Sequence, residues 1–160
     1  NHLMLKVQRD TDMMTGAYSR VAYIHDLGVM TDNSLASGII YADVNGLKKA
    51  NDTYGHEAGD RLIKTAFSLM LKYFNHTGDR IYRIGGDEFV IISVGITKEI
   101  FEIRFNKMMN DENHEVLSCG SVYLDEIKDA EIAIKQAEME MYLQKEQYYK
   151  SHPEKERRVN

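Results

Sequence analysis

Among its 160 residues this protein has a single cysteine, a single proline and no tryptophan. A lone Cys119 cannot close an internal disulfide and leaves no cysteine cluster for structural zinc, which favours a reducing compartment, the cytoplasm by default. With 43% hydrophobic and 28% charged residues, the composition excludes collagenous, low-complexity and disordered chains. Missing as well are the ~18 uninterrupted apolar residues of a spanning helix and the basic-then-apolar layout of a secretory signal, so no membrane contact is expected of this domain. Nor is there an excess of positive charge: 20 Lys and Arg face 25 Asp and Glu, for a net charge of −5. That excludes the clustered basic surface by which proteins bind polymeric nucleic acid. A small phosphorylated ligand stays compatible, provided a divalent cation offsets the repulsion between carboxylates and phosphates.

What is present reads as one domain, since a chain of this length rarely divides into two cores. Leu3, Met4, Leu5 and Val7 read as the end of a helix arriving from something upstream. Ser19 is placed to cap a helix from Arg20 to about Leu27. Ser37 to Val44 is short, apolar and bounded by Gly38 and Asn45-Gly46, as a buried strand is. Leu62, Ile63, Ala66, Phe67, Met70, Leu71 and Phe74 recur at helical spacing from a start near Gly59-Asp60. Arg80 to Ile84 and Phe89 to Val94 form a hairpin across Gly85-Gly86-Asp87-Glu88. A helix over Thr97 to Met109, a strand over His114 to Leu124 and a closing helix over Asp129 to about Lys150 complete the chain, with a charged, frayed tail from Ser151. The expected fold is α+β and ferredoxin-like, a palm-type, mostly antiparallel sheet with helices on one face.

Three features could carry chemistry. Two acids at a glycine turn, Gly85 to Glu88, describe either a solvated turn or a place where backbone meets a ligand. Asp43, near the end of a buried strand, is costly unless it is paired or bound to metal. If its strand lies beside the hairpin, Asp43 and Asp87 converge as hard oxygen ligands suited to magnesium, in a layout for two-metal phosphoryl transfer. Asn51 to Asp60 reads as a polar, turn-rich loop ahead of the long helix, either a ligand loop or helix punctuation with Asp60 as N-cap.

The stretch Asp43-Val-Asn-Gly-Leu-Lys-Lys-Ala-Asn-Asp-Thr-Tyr-Gly-His-Glu-Ala-Gly-Asp60, followed by Arg83-Ile-Gly-Gly-Asp-Glu-Phe89, resembles the GGDEF family of diguanylate cyclases. Asp12-Met-Met-Thr-Gly-Ala-Tyr-Ser-Arg20 is similar to the family's opening motif, and Ala137 to Lys145 to its last helix. The resemblance assigns residues 12–150 to the GGDEF domain, 1–11 to an upstream linker helix and 151–160 to the tail. It implies a palm-like sheet similar to nucleotidyl cyclases, on which two GTP molecules become cyclic di-GMP with release of two pyrophosphates.

Residue by residue, the resemblance implies that Asp43, Asp87 and the carbonyl of Val44 hold two magnesium ions, with manganese as the alternative. Glu88 lies near the attacking hydroxyl, and Lys48 and Lys145 face phosphate. Asn51 and Asp60 read guanine, whose N1 and N2 donors suit a carboxylate acceptor that adenine would leave unpaired. His56 either touches the ligand or packs. The amides of Gly46 and Leu47 are phosphate donors in a nest, and Gly85 and Gly86 let the substrate approach. Because one domain holds one GTP, catalysis requires a homodimer whose encounter an upstream sensor would control.

Departures from the family pattern also carry expectations. Asn45 replaces a common second Asp, removing a charge near the metals. His76 replaces the arginine of the Arg-x-x-Asp product-inhibition site that ends at Asp79, so product inhibition there is expected to be weak. Tyr149 stands where an arginine often meets phosphate, and Glu138 replaces a common Asp, so substrate affinity is expected to be modest. The alternative function is a GGDEF-like regulatory module that binds GTP or another guanine nucleotide without turnover. A purely structural dimerisation domain would explain neither the paired glycines nor Asp43.

Overall fold

The computed structural model describes residues 2–33, 35–127 and 130–155. Its centre is an antiparallel sheet of β1 (Ser37–Val44), β2 (Asp79–Arg83), β3 (Glu88–Val94) and β4 (Leu117–Leu124), in the order β2-β3-β1-β4. Around it lie α1 (His2–Asp10), α2 (Arg20–Asn33), α3 (Leu47–Tyr54), α4 (His56–Tyr73), α5 (Lys98–Met109) and α6 (Ala130–Ser151). Strand β1 is interior, flanked by β3 and β4, and every one of its eight residues is buried. A strand covered on both faces has no reason to alternate polar and apolar residues, which is why β1 reads as a continuous apolar run.

The helices cover both faces of the sheet, not the one face expected. Ile40, Ala42 and Val44 of β1 pack with Ile63, Ala66 and Met70 of α4 and Phe101 and Met108 of α5. Ile39 and Tyr41, pointing the other way, pack with Ala22 of α2 and with Ala133, Ala137 and Met141 of α6. By this period of two, Asp43 shares the α6 face. Helix α6 presents Ala130, Ala133, Ile134, Ala137 and Met141 to the core, and the next residue in that stripe is Lys145. Small residues bring α6 very close to β4: a Cβ on Gly120 would lie 1.9 Å from the Ala137 carbonyl oxygen.

Several elements differ from the sequence reading. The segment expected as a loop over Asn51–Asp60 is helical apart from Gly55, forming the second half of α3 and the first turn of α4. Glycines delimit these helices: Gly46 at φ 73° precedes α3, and Gly55 at φ 91° both ends α3 and begins α4. Such positive φ values cost a residue bearing a Cβ and suit glycine. Asp60 is therefore not an N-cap but lies inside α4. Helix α2 runs on to Asn33, and residues 114–116 form a 3-10 turn before β4 begins at Leu117. In the tail, Pro153–Lys155 forms another 3-10 turn, and His152 stacks on Tyr148 with ring centroids 4.4 Å apart. The rest of that expected tail, 156–160, lies outside the described residues, as does Asp129 at the expected start of the closing helix.

Capping follows the sequence where it was legible. Ser19 Oγ accepts from the Ala22 amide and Thr97 from the Ile100 amide, each at the head of its helix.

Gly120→Ala is expected to cost about 3 kcal/mol, because the clash is with backbone. A thermal melt should show a midpoint lower by roughly 6–12 °C. In Gly86→Ala, where a Cβ meets nothing within 4 Å, the midpoint should stay within about 2 °C.

Candidate functional site

The sheet register brings the acids together. Asp43 lies directly opposite Glu88 of β3, and the Gly85–Gly86 turn places Asp87 beside them, its carbonyl accepting from the Val44 amide at 2.8 Å. One oxygen from each of Asp43, Asp87 and Glu88 lies within 4.8 Å of the others. Among the described residues, this is the one cluster of three His, Cys, Asp or Glu groups close enough to share an ion.

Asp43 is 1% exposed. Burial drives its carboxyl well above the usual carboxylate range; Lys145 opposes that rise and Asp87 adds to it. Lys145, itself buried, reaches from α6 so that its Nζ lies 3.0 Å from Asp43 Oδ1 and donates to the Val44 carbonyl at 3.1 Å. The ammonium is out of line for a hydrogen bond to Oδ1, which has no hydrogen-bond donor. Three converging carboxylates, a backbone carbonyl and an orphaned buried oxygen are a donor set that fits a hard divalent cation. Of the three groups expected to hold a metal, Asp43, Asp87 and the Val44 carbonyl, the first and the last meet the Lys145 ammonium.

Beside the acids is a cavity of about 270 Å³ lined by Val44, Leu47, Lys48, Asn51, Asp52, His56, Asp87 and Tyr149. Asn51 owes its seat to Gly59, where a Cβ would fall 1.8 Å from Asn51 Oδ1. Lys48 Nζ lies 3.5 Å from Asp52 one helical turn on. Asp60 does not line this cavity; it is exposed on α4, four residues and so about one turn after His56. The Gly46 amide donates to the Tyr149 hydroxyl at 3.1 Å, so an oxygen of α6 already occupies a donor expected for phosphate. At Gly85 and Gly86 an added Cβ would meet at most ordinary contacts, and neither glycine has a positive φ. The fold does not require these two glycines.

Asn45 is not aimed at the acids. Its Nδ2 donates to the Glu115 carbonyl at 2.9 Å and its Oδ1 accepts from the Ser118 hydroxyl at 2.8 Å. An aspartate could not make the first bond, so the departure at this position is explained by a link to the β4 side of the sheet. Near the other departure, Asp79 accepts from the His76 amide at 3.0 Å and from Arg104 at 3.4 Å, with its side chain 3% exposed.

The sequence reading missed three contributors. Arg83 lies 3.2 Å from Asp12 and donates to the Gly86 carbonyl at 2.7 Å, tying the turn after α1 to the glycine turn. The signal was Asp12-x-x-Thr15: Asp12 accepts from both the amide and the hydroxyl of Thr15. Tyr149 was read as a departure and is a cavity wall. Tyr41 lies within the apolar run of β1 with no local sign of a polar role, yet its hydroxyl donates to Glu88 at 2.7 Å. Burial first, and then the Glu88 carboxylate, push this phenol far above its ordinary value.

The comparisons with known proteins agree with this geometry. A family profile described as "Diguanylate cyclase, GGDEF domain" matches residues 9–151. Diguanylate cyclase DgcN of Escherichia coli K12 is 28% identical over 151 residues, which are 85% of this chain and 37% of that protein. Cyclic di-GMP phosphodiesterase PdeR of the same organism is 29% identical over 108 residues, 66% of this chain and 16% of that protein. The chain thus spans well under half the length of these curated relatives. The coiled coil and GGDEF domain of DgcB from Caulobacter crescentus, solved in complex with c-di-GMP, superposes with a TM-score of 0.76 at 19% identity, covering 91% of this chain and 86% of that one. With the profile matching most of its length, and with the antiparallel sheet and acidic turn in place, this chain belongs to the GGDEF family.

Proposed function

We propose that this domain condenses two GTP molecules into cyclic di-GMP with release of two pyrophosphates, each 3′-hydroxyl attacking the α-phosphate held by a second copy of the chain. The observation that carries this reading is the meeting of Asp43, Asp87 and Glu88 at the edge of a cavity lined by Lys48 and Asn51. Asp43, Asp87 and the Val44 carbonyl would hold magnesium, or manganese in its place, two ions per site. Bound there, the cations supply charge neutralisation and Lewis acidity at phosphorus.

The protein's own groups do the rest. Asn51, seated by Gly59, and Asp60, a turn along α4 from His56, present an acceptor pair to the guanine edge, and His56 closes the same wall. Lys48 places a point charge against the triphosphate, and Lys145 does so once its ammonium leaves Asp43 and Val44. The amides of Gly46 and Leu47, at the head of α3, offer donors to phosphate oxygens. Glu88 takes the proton of the attacking hydroxyl, and Gly85 and Gly86 leave room for the substrate against the turn. Since one site presents one nucleotide, the reaction needs two domains face to face, and α1, as the end of an upstream linker helix, would bring them together for a sensor.

A second reading, nucleotide binding without turnover, is favoured by one observation: α6 already fills both halves of the site with Lys145 on Asp43 and Tyr149 on Gly46. One relative that contains a matching region, PdeR, is itself named as a phosphodiesterase.

Concentrated wild-type protein with GTP and magnesium should release pyrophosphate and form cyclic di-GMP. Asp87→Ala should lose roughly a thousandfold or more of that rate with its melting midpoint retained. No pyrophosphate from the wild type, even when dimerised by a fused coiled coil, would overturn the cyclase reading, and tight guanine-nucleotide binding without product would select the second. Tyr149→Arg, which exchanges a hydroxyl for a fork of charged donors, should lower the KM for GTP by about tenfold in steady-state kinetics. Because Asp79 is engaged internally and the arginine at 76 is absent, micromolar cyclic di-GMP should leave the initial rate unchanged.

A further inference from the structure

The two neighbouring acids of the glycine turn face different surroundings. Asp87 lines the cavity that holds Lys48 and Asn51, whereas Glu88 lines a larger one, about 1120 Å³, between α2 and α6. Tyr41 and Glu138 also line that second cavity. Across the β1–β3 ladder, Asp43 and Glu88 are directly opposed, an arrangement that is destabilising for like charges unless each carboxylate has its own compensating partner. Asp43 has the Lys145 ammonium at 3.0 Å. Glu88 has the Tyr41 hydroxyl at 2.7 Å.

We propose that Tyr41 is a positioning residue for Glu88: its hydroxyl, anchored by a buried ring two residues before Asp43, holds the carboxylate at the edge of the α2/α6 cavity, inside the acid cluster but with a donor of its own. The ring is 5% exposed and packed among Ile39, Val90, Ala137 and Met141, so the hydroxyl has a fixed place from which to donate. Packing alone would be served as well by phenylalanine, since burying a hydroxyl is costly unless it is bonded. With the donor in place, Glu88 keeps one orientation and stands ready for the attacking hydroxyl. Without it, the carboxylate has no fixed orientation, and the task of proton acceptor is lost in a fraction of molecules. The role assigned to Glu88 rests on the cyclase reading; the contact itself does not.

The test uses Tyr41→Phe, which keeps the ring, together with Glu88→Ala and the double variant. In GTP turnover, Tyr41→Phe should lower kcat by about tenfold, the size expected for one hydrogen bond to a charged group, with KM within twofold. In thermal melts of the metal-free protein, Tyr41→Phe should lower the wild-type midpoint by about 3 °C and shift that of Glu88→Ala by less than 1 °C. A raised KM at unchanged kcat, or equal thermal effects in both backgrounds, would overturn the proposal. Should the wild type give no product, the cyclase reading falls, and the Tyr41 proposal is then decided by the thermal cycle, which needs no turnover.

Discussion

A carboxylate on an interior strand, almost wholly out of water, is the constraint around which this molecule is arranged. Asp43 sits on β1 with strands on both sides and helices on both faces, where an isolated charge is not tolerated. Its compensation comes from 102 residues further along the chain, through a lysine that occupies what would otherwise be the next apolar position of α6. Two such ions out of water hold one another only with good geometry and further bonds, which is why Lys145 also reaches the Val44 carbonyl. The pair adds little net stability against apolar side chains of the same size, but it leaves a polar centre in the core beside Asp87 and Glu88.

The same helix reaches the anion side of the site. Tyr149, one turn after Lys145, caps the Gly46 amide, and the ring lies 5.7 Å from the Lys145 ammonium. Helix α6 therefore offers a cation to the acids and an oxygen to the amide. Across the sheet, the Arg83 link from Asp12 to Gly86 ties the turn after α1 to the glycine turn by charge-assisted bonds, so displacement of one is felt by the other.

Much of the fold was legible because it was written in local patterns. The buried run of β1, the periodicity of α4, the Ser19 cap and the β2–β3 hairpin each follow from short-range chemistry. Helix α3 was not legible: Leu47–Tyr54 has a single large aliphatic residue, and Asn51, Asp52 and Thr53 are poor helix formers that more often mark turns. It is helical because Gly46 and Gly55 set its ends and because Leu47 packs on the core. The two-faced cover of the sheet was hidden for a related reason, since one apolar strand looks the same whether one face or both are buried.

By itself the sequence determined which side chains are available: the acids Asp43, Asp87 and Glu88, the lysines Lys48 and Lys145, the amide of Asn51, and two glycines at the acidic turn. Those follow from side-chain type and from spacing along one element, quantities that a linear chain contains. Tertiary structure alone decided which of these groups meet. The strand order β2-β3-β1-β4 sets Asp43 opposite Glu88, the packing of α6 brings Lys145 and Tyr149 to the C-terminal end of β1, and Tyr41 becomes a donor to Glu88. Such encounters depend on register and on helix placement, which are fixed by contacts between residues far apart in the chain and leave no periodic trace in it.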